Sequence, residues 1–287
     1  MVHRTICFPA LLALLAAPLL VPASAAADAQ PAAVATAPAY PYAEIADLLI
    51  GSPIVVDATI TSTVLIKGAE AANVPPGFVR YYVEASVTAL VRGPGSIPPQ
   101  IGYVLDAPLG PDGRQPKYKK TRVLLFARPV PGSATQVQLT GPEAQRGWTP
   151  ALDTLTRRIA SEAVAPDAPP VVTGIGNAFH VPGSLPGEGE TQVFLTTRDN
   201  RPVSLTILRR PGEQPRWAVA LSEIVDDAAG PPRRDTLLWY RLACALPRDL
   251  PVRSTQALDP SDAAIAREDY KFVLEQLGPC RRAPQQY

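Results

Sequence analysis

The chain is short of the side chains on which much enzyme and metal chemistry depends. It has two histidines, three cysteines and one methionine in 287 residues. Met1, His3 and Cys7 fall in an amino-terminal segment that reads as an export leader, so a processed chain keeps only His180, Cys244 and Cys280. One histidine and two cysteines are too few ligands for a zinc or copper site. No Cys-x-x-Cys spacing is present, which removes the usual redox-active pair. No Gly-x-Ser-x-Gly elbow surrounds any serine; Ser184 sits in Pro-Gly-Ser-Leu-Pro instead. Gly174-Ile-Gly176 is not a dinucleotide fingerprint, because Phe179 stands where the third glycine belongs. A phosphate-binding loop is also missing. No cofactor and no metal are therefore expected.

Charge of either sign is not in excess either. The formal net charge is +1, and a nucleic-acid binder normally shows a basic face or stripe. Beyond the leader there is no apolar run long enough to span a bilayer, which takes about 20 residues. No nucleic-acid partner and no membrane span after leader cleavage are expected.

Proline, by contrast, is abundant, with 34 residues against a usual share of about 5%. Each proline removes a backbone donor and fixes φ, so regular elements must fit between them. Apolar content is ordinary for a globular chain, and short strands with ordered loops follow. Length allows one large core or two smaller ones.

Residues 1–27 form the leader. His3 and Arg4 make a basic start, residues 6–21 are apolar, and small residues offer cleavage after Ala25 or Ala27. The apolar run is too short, and too interrupted by proline, to act as a membrane anchor. Arg-, Ala- and Pro-rich usage suits an exported bacterial protein, placed in the periplasm or cell envelope or secreted. In an oxidising compartment Cys244 and Cys280 are expected to pair. Residues 28–41 are Ala/Pro-rich and read as a tether.

Residues 42–165 read as a first β-rich domain. A short helix over 42–50 puts Ile45, Leu48 and Leu49 on one side. Ile54, Val56, Ala58, Ile60, Ser62, Val64 and Ile66 alternate with a second set, the period of a long strand. Residues 78–91 repeat the pattern, with Val79, Tyr81, Val83, Ala85, Val87, Ala89 and Val91 facing one way. Ile101, Tyr103 and Leu105 mark a third strand, residues 122–127 a fourth and 135–139 a fifth. Thr149 then caps a helix with Pro150 at its first position and Leu152, Leu155 and Ile159 as its apolar stripe.

Two long strands, the second ending in Arg92-Gly93, followed by Val123-Leu-Leu-Phe-Ala127, resemble an oligonucleotide/oligosaccharide-binding (OB) barrel over residues 45–140. The pattern is similar to the netrin-module and tissue-inhibitor branch of that fold. That branch's protease inhibitors use an amino-terminal cysteine and a disulfide framework. This half of the processed chain has no cysteine, so no inhibitory residue and no inhibitory function carry over. A β-sandwich is the alternative architecture.

Residues 171–287 read as a second β-rich domain. The stretch 174–195 holds five glycines and two prolines before its last strand-like residues, and residues 190–197 and 202–209 form a hairpin. Residues 217–221 make another strand, reaching Ile224 at its longest. Residues 236–246 are bulky and apolar and read as a strand, with a helix as the rival. In the last element Ala266, Tyr270, Val273 and Leu277 fall on one helical face. Asp259 and Pro260 start it, and Gly278 and Pro279 stop it. The disulfide should pin this helix end to the 236–246 element. The fold class is therefore mainly β with peripheral helices, an OB-like five-stranded barrel followed by a second β-rich domain with a carboxy-terminal helix.

Candidate functional residues are few. His180 is the only histidine of the processed chain, with Ser184, Glu188 and Glu190 close in sequence. The densest charge cluster is Arg114, Lys117, Lys119, Lys120 and Arg122, which with Tyr118 would grip an anionic glycan or lipid head group. Glu223, Asp226 and Asp227 supply oxygen ligands of the kind calcium takes, but at no recognised loop spacing. Trp148, Trp217 and Trp239 read as core. The expected function is a non-catalytic binding or assembly module that takes another envelope protein or a glycan, through loops of the first barrel or through residues 174–189. The alternative is an envelope hydrolase using His180 with Ser184 or Glu188/Glu190.

Overall fold

The computed structural model describes residues 40–222 and 230–281. The expected leader, nearly all of the expected tether and the Glu223/Asp226/Asp227 group lie outside the described residues.

A helix, α1 (Tyr42–Ile50), opens the fold and buries Ile45, Ala46 and Leu49. Five strands follow: β1 (Ile54–Ile66), β2 (Phe78–Arg92), β3 (Gln100–Pro108), β4 (Arg122–Val130) and β5 (Ser133–Leu139), with a three-residue strand β6 (Gln145–Gly147) after them. The pairing order runs β1-β2-β3-β5-β4, and β4 returns to β1, closing a barrel. β3 and β5 meet in parallel at Gly102 and Gln136, and the other pairings are antiparallel. This closed, mixed five-stranded ring is OB-like. Its interior holds Ile54, Val56, Ala58, Ile60, Tyr81, Val83, Ile101, Tyr103, Leu105, Val123 and Leu125.

The alternation expected along β1 and β2 holds only in part. An extra residue enters β2 at Thr88, between the pairs Ala58–Val87 and Asp57–Ala89. Beyond it Leu90 faces the barrel interior and Val91 packs outside, so Ala89 and Val91 do not continue the inward row. A second extra residue at Thr61 lets Leu65, rather than Val64 or Ile66, cover the barrel end. Period two predicts a face only as far as the next bulge.

After the barrel comes α2 (Pro150–Val164). Thr149 caps it as expected, its hydroxyl accepting from the Leu152 amide at 3.1 Å. A second, four-stranded antiparallel sheet is built from β7 (Val172–Pro182), β8 (Gly189–Thr197), β9 (Val203–Arg209) and β10 (Arg216–Ala220), in the order β10-β9-β8-β7. The glycine-rich stretch is thus largely strand, with bulges at Val172/Gly174 and Ile175/Ala178.

Residues 236–246 do not form a strand. They carry α3 (Leu237–Ala243), whose cap is Thr236, its hydroxyl accepting from the Trp239 amide at 3.3 Å. Leu237, Trp239 and Leu242 bury its apolar side. The run is apolar on nearly every residue, so periodicity alone did not separate helix from strand. The last helix, α4 (Pro260–Leu277), buries Ala266, Tyr270, Val273 and Leu277. Asp259 makes no side-chain cap bond. Gly278 ends the helix at φ 68°, a conformation that suits glycine. Cys244 and Cys280 are disulfide-bonded.

A second apolar cluster lies outside the barrel. It joins Tyr42, Leu49, Leu124, Phe126 and Leu152 from the first half to Val193, Leu205, Trp239, Leu242 and Tyr270 from the second. Polar links cross the same boundary. The Tyr240 hydroxyl donates to Asp47 at 2.6 Å, and the Leu237 amide to Glu162 at 2.8 Å. The barrel wall, α1 and α2 therefore form one side of a core whose other side is the second sheet with α3 and α4. Among the described residues no helix is long and apolar enough to cross a membrane.

The second sheet contains two buried side-chain groups without a hydrogen-bond partner among the described residues, the Thr206 hydroxyl on β9 and the Trp217 indole N–H on β10. Thr206→Val keeps the β-branch and removes that hydroxyl. It is expected to raise stability by about 1 kcal/mol, read as a higher midpoint in urea with an unchanged slope.

Candidate functional site

The β7–β8 hairpin organises the second sheet. Its turn, residues 183–188, is closed by Glu188. One carboxylate oxygen of Glu188 accepts from the Ser184 and Leu185 amides at 3.0 and 3.2 Å, and the Gly183 amide donates to the Glu188 carbonyl at 2.9 Å. His180 lies on β7 opposite Thr191 on β8. Its Nδ1 is 2.9 Å from the Thr191 hydroxyl, and that hydroxyl donates to Asp269 of α4. Thr191 has a single proton and gives it to Asp269, so Nδ1 of His180 is the donor in its own bond. The other oxygen of Asp269 accepts from Arg209 Nε at 2.6 Å, and Arg209 also reaches Glu268 at 3.3 Å. Asp269 and Thr191 are fully buried and His180 nearly so.

Two strand ends, β8 through Thr191 and β9 through Arg209, thus reach one carboxylate on α4, and β7 joins them through the bond of His180 to Thr191. Gly189 completes the arrangement. A Cβ there would lie 2.7 Å from Cε1 and 3.0 Å from Nε2 of His180, so the ring fits only because residue 189 has no side chain.

The serine and carboxylates close to His180 in sequence are not gathered around its ring. Ser184 is exposed in the turn, and Glu188 is engaged with the turn amides. Glu190 precedes Thr191 on β8 and so points to the opposite face, where Gln192 donates to it at 2.7 Å. His180 is instead part of a buried polar lock between sheet and helix.

That opposite face is the exposed one. Phe179, Val181, Phe194 and Leu208 lie on it, and Leu185 tops the turn. These five are between 40% and 64% exposed, and they make up half of the ten large exposed hydrophobic residues among the described residues. The rings of Phe179 and Phe194 meet edge to face at 5.9 Å. A cleft of about 590 Å³ lies over them, bounded by Gly183, Glu188, Gln192, Arg209 and Arg210. Arg210 is exposed and makes no ion pair among the described residues.

The basic run of the first half separates into two kinds of residue. Arg114 pairs with Asp112 at 3.2 Å. Arg122 grips the buried Asp57 through two bonds of 2.9 and 2.6 Å and stacks 3.8 Å over Trp148. Its hydrogen bonds to Asp57 hold the guanidinium above its ordinary pKa. Tyr118 is half-buried against Tyr81, and burial raises both phenols. Lys117, Lys119 and Lys120 remain exposed on the β3–β4 loop, with Lys120 at φ 69°. No cluster of three or more metal-ligating side chains occurs among the described residues.

Thr191, Arg209 and Asp269 complete the lock and carry no motif that marks them in the sequence. A signal for Asp269 was present. It falls between Ala266 and Tyr270 on the apolar stripe of α4, and a carboxylate there has to find a partner on whatever the stripe covers.

Fold and site together define a class: an OB-like barrel that shares a core with an antiparallel sheet, the sheet presenting an apolar cleft. Comparison with known family models and with curated proteins finds no match for the chain.

Proposed function

We propose that this is an exported envelope protein that works as a non-catalytic binding or assembly module, taking another envelope protein or a glycan at residues 174–189 and the sheet face they help form. The observation that carries this reading is the clustering of Phe179, Val181, Leu185, Phe194 and Leu208 in the open. The largest contiguous apolar patch on a monomeric protein is often a functional one. Export is supported by the Cys244–Cys280 bond, since disulfides persist in oxidising compartments. The engagement of His180 with Thr191, rather than with Ser184, favours binding over hydrolysis. The three exposed lysines of the β3–β4 loop are the second candidate contact.

The test is in-cell crosslinking of tagged full-length protein, with a photo-crosslinking residue at Leu185 in one version and at Lys119 in another. Mass spectrometry of the envelope fraction follows. A reproducible, stoichiometric adduct from either position is the expected result, and the position names the surface. Background alone from both would overturn the reading.

A further inference from the structure

We infer that the outer face of the second sheet takes an extended peptide segment of a protein partner, whose apolar side chains enter the cleft over Phe179, Phe194 and Leu208 while a neighbouring carboxylate pairs with Arg210. The inference rests on the binding-module reading and goes further by naming the chemistry of what binds.

Size comes first. A cleft of about 590 Å³ lies in the ~300–1,000 Å³ range of sites that enclose a small ligand or a few side chains. Five half-exposed side chains offer on the order of 500 Å² of apolar area, about the apolar share of a standard interface of about 800 Å² per partner. Area alone therefore does not choose between a peptide and a second copy.

Charge comes second. Around the cleft Glu188 is spent on turn amides, Glu190 on Gln192, and Arg209 on Asp269 and Glu268. Arg210 is the charged side chain of the lining that has neither an ion pair nor a side-chain hydrogen bond among the described residues, while Glu188 and Glu190 are hydrogen-bonded to neutral donors and keep their charge. A guanidinium fork selects a carboxylate by two parallel hydrogen bonds. A glycan is less well served, because Glu188 and Glu190 each have one oxygen, and Gln192 its amide nitrogen, already bonded within the protein. A bilayer surface would need a cationic collar, and Glu188, Glu190 and Glu213 dilute it, with Glu213 also pairing Arg216. Strand addition along the β7 edge is obstructed by its two bulges and by Pro182. A peptide lying across the face, rather than extending the sheet, meets none of these objections.

The test selects phage-displayed random heptapeptides on immobilised full-length protein, on Arg210→Glu, and on Phe179→Ser/Phe194→Ser. The parent is expected to enrich peptides that set apolar residues beside Asp or Glu. Arg210→Glu should exchange the acidic residue for Lys or Arg. A fluorescein-labelled winning peptide should bind the double-serine protein at least about tenfold more weakly. All three proteins should keep the same circular dichroism, because the changed side chains sit on the exposed face. No enriched motif, a motif without an acid, or a motif indifferent to Arg210→Glu would overturn the inference. So would co-sedimentation with phosphatidylglycerol vesicles, retention on a glycan resin, or a dimer in sedimentation velocity, if abolished by the double-serine change. A crosslinked partner trapped through Lys119 alongside a failed selection would leave the binding-module reading standing and remove this one.

Discussion

Replacing Asp269 with asparagine is expected to destabilise the protein by about 3–5 kcal/mol. The carboxylate is fully buried and receives hydrogen bonds from Thr191 and Arg209 on opposite oxygens. Asparagine removes the charge that pairs with Arg209 and replaces one acceptor oxygen by an N–H2 donor, which either Arg209 or the Thr191 proton would then face. Arg209 would then keep only its outer ion pair with Glu268, whose side chain is exposed. The total stability of a domain is commonly about 5–15 kcal/mol, so the loss should be visible as a large drop in urea midpoint. Thr191→Val is expected to cost about 1–3 kcal/mol, because it leaves His180 Nδ1 and one Asp269 oxygen without a partner. The two changes share a partner and should not add; the double variant should cost clearly less than the sum. A loss below about 1 kcal/mol for Asp269→Asn is the size seen for exposed ion pairs. That result would mean that water reaches the carboxylate and that the lock is not closed.

This network also marks the limit of what the residues alone disclosed. Strand content was legible because β-branched residues alternate over long spans, and Ile54, Val83 and Tyr103 face the barrel interior as their positions suggested. Barrel closure was legible at the level of fold class, since five strands of that order resemble an OB ring. The points of failure were local insertions. Thr61 and Thr88 each add one residue, and nothing in a threonine within a strand announces a bulge. The glycines at 174 and 176 argued against strand by propensity, yet pairing with β8 and packing against α4 override that cost.

The candidate site was legible in place but not in parts. His180 and the 174–189 stretch drew notice through composition, and the structure does put a cleft there. What composition could not supply was side-chain direction. His180 and Phe179 are adjacent residues on opposite faces, one locked inward on Thr191 and one open to solvent. Arg209 and Asp269 are separated by 60 positions in sequence, and only the folding of α4 across the sheet joins them.

Removing the Cys244–Cys280 bond is the other change with a large expected effect. The bond spans 36 positions, for which the chain-entropy relation gives about 4 kcal/mol through restriction of the unfolded chain. At roughly 2–4 °C per kcal/mol for a unit of this size, the Cys244→Ser/Cys280→Ser protein should melt about 8–15 °C lower. It should still fold, because two contacts join the same two segments of chain without the sulfurs. Trp239 Nε1 donates to the Leu277 carbonyl at 2.9 Å, and the Tyr270 hydroxyl to the Pro247 carbonyl at 2.6 Å. Near-ultraviolet circular dichroism at 25 °C should therefore match the parent. The urea slope should steepen, since a longer free chain exposes more surface when it unfolds. A melting temperature unchanged within about 2 °C would mean that the crosslink restrains little of the unfolded chain and that α3 and α4 are held by packing alone. Because α4 also carries Asp269, the two devices act on one helix. The disulfide fixes its carboxy-terminal end to α3, while the carboxylate fixes its middle to the sheet whose far side bears the cleft. Softening either end should loosen the base on which Phe194 and Leu208 stand, so in the double-serine cysteine variant hydrogen exchange should rise in β8 and β9 and stay unchanged in the barrel strands β2 and β3.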